Sequence, residues 1–431
     1  MRMGATTLVI EQRKSIKGEI TVPGDKSISH RAVMFGSLAM GTTEIDGYLM
    51  GEDCLRTIDC FRKMQVGIEI LPNNKVRVQG NGLYGLKAPT SHLNAGRAGT
   101  TLRLLLGALS GQPFNSIITR DESAQKKPVG KTVAPLKQMG AIINGKDGAN
   151  YCPLGIYPSK LKGVTYDISI SESHVKSPIL IAGLYADGQT VVNEKIKSRD
   201  HSELMLSHFG ANINVDGLSV SVTKTENLYA QHVEVPGDIS IASYFITAGL
   251  IVPNSQITIK NVGINPTRTG ILDVYKAMGA KIEICNERTL CNERVADLTI
   301  YSSDLKAVTI EGDIIPRLID EIPVIAVAAA AAEGTTVIKD LKGFKVKESG
   351  RVRFITTELS KMGASVTETE DGMIIEGGKP LKGTVIESYN DYAIAMSMSI
   401  AGLIANDETM IRKAQSVDLA FPEFFSLLNK L

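Results

Sequence analysis

Several charged residues stand where helices are expected to begin. In Gly24-Asp25-Lys26-Ser27-Ile28-Ser29-His30-Arg31, a lysine follows a Gly-Asp turn and an arginine comes one turn later. A flexible ammonium there, backed by the N–H groups of a helix start, suits an anion such as phosphate. The plain alternative is a surface lysine beside a helix cap, with Ser27 as the capping residue. The spacing G-x-x-x-x-G-K-[ST] is absent, so this is not a P-loop. Asp320 precedes an apolar helix, where a carboxylate can cap, and its neighbour Glu321 is expected to face the helix dipole. Glu348 sits in Lys345-Val346-Lys347-Glu348-Ser349-Gly350-Arg351, a run that a salt-bridged helix would also produce. Gly99 opens another apolar run and suits either a close backbone approach or a simple turn.

Bulk numbers narrow the classes. The chain has 431 residues, enough for two domains with a large core. Its net charge of +1 provides no global attraction to nucleic acid or an anionic membrane, so any anion binding must come from local clusters. Five cysteines, scattered and without C-x-x-C spacing, fit a reducing compartment and suggest no zinc site. The most apolar stretch, Ile322 to Ala332, is too short to span a bilayer, and no signal peptide is visible. A cytoplasmic, soluble protein is expected.

An internal repeat organises the elements that must position these residues. VPGDKSISHRAVMFGSLAMGTTEI starts at Val22, and VPGDISIASYFITAGLIVPNSQITI starts at Val235. Each reads turn, Ala/Gly/Ser-rich apolar helix, turn, β-branched strand. Similar units follow Gly99, Ser173, Ile319 and Asn390, about six in all. Between them KQMGAIING, LSHFGANINV, YKAMGAKIEI and SKMGASVTE each end a polar-faced helix at a glycine, as a left-handed C-cap requires; RKMQVGIEI is the matching segment of the first unit. Helices apolar nearly all round must be buried. The expected fold is therefore α/β: three subdomains per lobe, with a tight layer of helices inside and sheets outside. One lobe would be residues 23–237. The other would join 1–22 to 238–431, with crossings at Val22–Asp25 and Val235–Asp238.

These motifs resemble the enolpyruvyl transferase family, whose fold is two lobes built from six βαβαββ units. Gly24 to Arg31, Ala98-Gly99-Thr100-Thr101-Leu102-Arg103, Ser198-Arg199-Asp200-His201, Lys345 to Ser349, Asn390-Asp391 and Phe421-Pro422 follow the order of its 5-enolpyruvylshikimate-3-phosphate synthase branch (3-phosphoshikimate 1-carboxyvinyltransferases). The UDP-N-acetylglucosamine branch carries a cysteine near residues 115–130, and none is there. The resemblance implies transfer of enolpyruvyl from phosphoenolpyruvate to the 5-hydroxyl of shikimate 3-phosphate, with release of phosphate and without metal or organic cofactor. It implies catalytic roles for Lys26, Asp320 and Glu348. Substrate binding falls on Ser27, Arg31, Ser173, His174, Ser198 and Lys347, and phosphoenolpyruvate binding on Lys26, Gly99, Lys127 and Arg351. It further implies lobes that close on substrate, small-molecule partners only, no nucleic acid or membrane partner, and a monomer.

Departures gather at the implied site. Lys127-Pro128 replaces Arg-Pro, keeping charge but losing the bidentate fork. Asn390-Asp391-Tyr392-Ala393 replaces N-D-H-R, Leu419 replaces a lysine, Gly350 replaces an aspartate and Arg97 replaces an asparagine. Glu172 takes the place of a phosphate-binding serine, where it would repel a dianion unless protonated or paired. Arg97 and Lys126 are candidate replacement cations, and weak inhibition by glyphosate is expected. Three readings follow: an active synthase with an unusual site, an enolpyruvyl transferase with another hydroxyl acceptor, or a binding protein without catalysis.

Overall fold

A computed structural model of the chain describes residues 2–3, 7–168, 172–344 and 350–431, with the side chains of 2–3 and 419–420 excepted. It divides into two compact units. One comprises Met1–Pro23, Pro236–Arg288 and Arg294–Leu431; the other comprises Gly24–Val235 with Thr289–Glu293. They are called the N/C unit and the middle unit below.

Among the described residues each unit holds three sheets, and all six share one plan: a parallel pair followed by an antiparallel partner. In the middle unit, for example, Thr165–Ile168 runs parallel to Gln189–Glu194, which then pairs antiparallel with Ser219–Thr223. The sixth sheet is completed by the start of the chain. Val385–Glu387 and Thr409–Arg412 are parallel, and Thr7–Ile10 pairs antiparallel with the latter. Strands alternate buried and exposed residues, as Lys75–Asn81 does, which is the period expected when one sheet face packs on helices.

The repeated apolar helices form the buried layers. They are α1 (Lys26–Leu38), α2 (Gly99–Ser110) and α3 (Ser173–Gly183) in the middle unit, and α4 (Ile239–Ile251), α5 (Ile322–Ala331) and α6 (Tyr392–Gly402) in the N/C unit. In α5 every residue from Ile322 to Ala330 is buried. Small residues set the packing distance: a Cβ on Gly107 of α2 would lie 2.5 Å from the Pro178 carbonyl oxygen of α3, a clash a larger residue could not relieve. In α3 a buried charge interrupts the apolar pattern. Lys176 of α3 is fully buried, its ammonium 2.8 Å from Glu194 and also paired with Glu203. A buried cation requires such partners.

The outer helices end as the glycine pattern predicts. Gly140, Gly210, Gly279 and Gly363 have φ of 100°, 88°, 86° and 89°, and in the first unit Gln65 takes the same left-handed position at φ 63°. No helix among the described residues is long and apolar enough to cross a membrane.

Candidate functional site

In the middle unit, three helix starts carry the charged residues. Lys26 is the first residue of α1, and Asp25 is the cap, its carboxylate accepting from the Ile28 N–H at 2.9 Å. The capping role considered for Ser27 thus belongs to Asp25. Lys26 is ion-paired with Asp53 of the helix Glu52–Lys63. Burial raises the Asp53 carboxyl, but the charge and hydrogen bond of Lys26, with His30 and Arg97, outweigh it and hold Asp53 below the ordinary range. Arg31 is buried, donating to the Ser202 hydroxyl at 2.7 Å, the Ser27 carbonyl at 2.9 Å and the Ser177 hydroxyl at 3.0 Å. It ties α1 to α3 and to the helix His201–His208.

Gly99 is the first residue of α2, where a Cβ would come within 2.7 Å of Arg103 Nη1. Arg103 donates to the Gly99 carbonyl at 3.3 Å, and Arg120 donates to the Arg97 carbonyl at 3.2 Å. Burial and the neighbouring Arg120 push the Arg103 guanidinium down to about 10, with Glu172 opposing. Lys127 is exposed, just beyond the short helix Glu122–Gln125.

At the start of α3, Ser173 and His174 form the first turn and Glu172 precedes it. The carboxylate expected to repel a phosphate is paired: Lys131 Nζ donates to Glu172 at 2.7 Å, and His174 Nε2 lies 4.0 Å away. Ser198 is buried, and its hydroxyl and N–H both donate to Glu194, the residue that pairs with Lys176.

In the N/C unit, Asp320 lies half-buried in the turn before α5. Glu321, not Asp320, occupies the cap position, and its side chain makes no capping bond. Glu321 is buried at this positive end of the helix and accepts from the Ser240 hydroxyl of α4. Arg351 opens the helix Arg351–Lys361 after Gly350, whose φ of 80° suits glycine. Its Nε donates to Asp391 at 2.7 Å, and its guanidinium carbon lies 5.2 Å from the Tyr392 ring centroid. Burial alone would lower the Arg351 pKa, but Tyr392, Asp391 and Asp320 together raise it. Asp391 also caps α6, accepting from the Ala393 N–H at 2.8 Å. Where the resembled motif has His-Arg, Tyr392 supplies an aromatic face to Arg351 and Ala393 is buried. Lys347 and Glu348 lie outside the described residues, as does the side chain of Leu419.

Within the middle unit the structure thus groups Lys26, Gly99, Ser173 and His174 at helix starts, while Arg31 and Ser198 are bonded inward. Asp53, Arg120 and Lys131 escaped the sequence reading. Nothing in their residue types marks them, because each matters through a partner distant in the chain.

The family model described as EPSP synthase (3-phosphoshikimate 1-carboxyvinyltransferase) matches residues 10–428. A protein of Thermoanaerobacter sp. (strain X514) named 3-phosphoshikimate 1-carboxyvinyltransferase is 53% identical over 422 residues, covering 98% of this chain and 99% of the relative. One of the same name from Brevibacillus brevis is 51% identical over 424 residues, with 98% and 99% covered. The solved structure of EPSP synthase from Acinetobacter baumannii is similar with a TM-score of 0.91 and 42% identity, covering 99% of this chain and 98% of that one.

Proposed function

Because the chain belongs to the EPSP synthase (3-phosphoshikimate 1-carboxyvinyltransferase) family, we propose that it transfers the enolpyruvyl group of phosphoenolpyruvate to the 5-hydroxyl of shikimate 3-phosphate. The observation that carries this is identity of about half the residues along 98% of the chain to relatives bearing that name.

In the proposed reaction the 5-hydroxyl oxygen bonds to C2 of phosphoenolpyruvate as its own proton passes to a carboxylate, while C3 gains a proton from a carboxylic acid. The C2–O bond to phosphate then breaks, C3 returns a proton, and the double bond reforms. Lys26 and the backbone N–H groups at the start of α2 hold the phosphoenolpyruvate phosphate. Arg351 holds a carboxylate, its guanidinium kept in place by Asp391 and Tyr392. Asp320 and Glu348 exchange the two protons. Ser27, Ser173, His174, Ser198, Arg31 and Lys347 take the ring substrate, with Lys131 offsetting Glu172 beside its phosphate. Lys127 adds a point charge toward phosphoenolpyruvate. The protein works as a soluble cytoplasmic monomer.

The Lys131–Glu172 pair bears on the acceptor. A lone carboxylate would exclude a phosphorylated acceptor, whereas a paired one leaves room for it. The test is phosphate release by the purified chain. It should require both phosphoenolpyruvate and shikimate 3-phosphate and fall by at least about 100-fold in Asp320→Ala. No release at saturating substrates, or release with a different hydroxyl acceptor only, would overturn the proposal.

A further inference from the structure

Arg120 is unusual among the cations of the middle unit. It follows the strand Ser116–Thr119, which pairs in parallel with Leu93–Asn94. The Ala95 N–H donates to Thr119 at 3.0 Å, and the Asp121 N–H donates to Gly96 at 3.2 Å. The two strand ends therefore fix Arg120 beside the segment that leads into α2. The residue is only 5% exposed, one Nη lies 4.0 Å from where a Gly99 Cβ would be, and the same nitrogen holds the Arg97 carbonyl. Its Nε is buried and, among the described residues, has no hydrogen-bond partner; the same is true of Arg103 Nε.

Two guanidinium groups with unmet donors at one helix start are a costly arrangement for an empty protein. Each desolvated N–H without a partner is unfavourable, and the like charges repel. An oxyanion relieves both at once, since a guanidinium fork matches its geometry and the helix start adds N–H groups. Burial lowers the Arg120 pKa against the opposing Cys152, Asp53 and Asp121, and burial with the charge of Arg120 lowers that of Arg103 against Glu172. No carboxylate hydrogen bond to either guanidinium is formed among the described residues.

Resting on the function proposed above, we infer that Arg120 is a further specificity-determining residue that holds an oxyanion of phosphoenolpyruvate at the start of α2, Arg103 standing beside it. It restores the fork that Lys127 cannot supply.

The test uses the full chain with Arg120→Ala and Arg120→Lys, titrated calorimetrically with inorganic phosphate and with phosphoenolpyruvate, and assayed for turnover. Arg120→Ala should weaken both ligands and raise the KM for phosphoenolpyruvate by at least about tenfold. The KM for shikimate 3-phosphate should move less than about twofold. Arg120→Lys, which keeps charge without the fork, should fall between. Wild-type affinity for phosphate and phosphoenolpyruvate in Arg120→Ala overturns the inference. If that variant does not fold by circular dichroism, an unchanged KM in Arg120→Lys overturns it. Arg120-dependent phosphate binding in a chain that does not turn over shikimate 3-phosphate would sink the proposed acceptor and support this inference. A wild-type chain that binds neither ligand overturns it.

Discussion

Lys26, the first residue of α1, is ion-paired with Asp53, the second residue of the helix Glu52–Lys63, so one carboxylate sets where the candidate phosphate-binding ammonium stands. Because Lys26 holds Asp53 below its ordinary range, the pair stabilises the fold fully above the unfolded carboxyl pKa near pH 4 and is lost as pH falls through the lower folded value. Asp53→Asn should therefore flatten the acid side of the melting-temperature profile between about pH 5 and pH 3. It should also lower kcat/KM for phosphoenolpyruvate by roughly tenfold through misplacement of Lys26. A variant whose profile and kinetics match the wild type would show the pair to be idle.

His30 gives a second pH dependence, on the same helix. Burial, then the charge of Lys26, lowers its pKa to about 3 from an ordinary 6.5, and its Nδ1 lies 2.7 Å from the Thr57 hydroxyl. The unfolded chain takes up a proton below about pH 6.5 that the folded chain refuses. Stability should fall from there toward pH 3, by about 2 kcal/mol at pH 5. Urea unfolding at pH 7 and pH 5 measures this, and His30→Gln should remove most of the difference. Equal stability of the wild type at both values would contradict the assignment.

Lys131 should matter although it is two-thirds exposed, because it neutralises Glu172. Lys131→Ala should raise the KM for shikimate 3-phosphate by about 5- to 20-fold and leave that for phosphoenolpyruvate nearly unchanged. Lys131→Ala with Glu172→Ser should recover most of the loss. If the double variant is no better than the single, Glu172 does not face the acceptor phosphate.

Lys176 should be a stability residue. Its removal leaves Glu194 and Glu203 as buried carboxylates without their cation, at a cost of about 3–5 kcal/mol. Lys176→Met should show this in denaturant midpoint, with partial recovery on adding Glu203→Gln. A stability loss under about 0.5 kcal/mol would mean that the carboxylates readily take up protons or water instead.

Much of the fold was legible because it repeats. Six apolar helix runs, each followed by a β-branched strand, mark the buried layers, and the C-cap glycines mark the turns between them. Gln65 shows the limit of that signal, since a left-handed cap can be filled without glycine. Among the candidate site residues, Lys26, Gly99 and Asp320 stood out because each begins or precedes an apolar run. Asp53, Arg120 and Lys131 did not, for their partners lie 27, 23 and 41 residues away in the chain. The bond of Glu321 to Ser240 was not legible either, because a cap position says nothing of a hydroxyl on another helix.

The narrow gap at Gly107 has a consequence for how this protein can change. Helices pressed so close leave no freedom to alter their inner faces, while the candidate binding residues Gly99, Ser173 and His174 sit at their first turns. Ligand preference can therefore drift by single exchanges at helix beginnings while the scaffold stays rigid. An engineer seeking a new acceptor should vary residues 172–174 and leave the packed layer untouched.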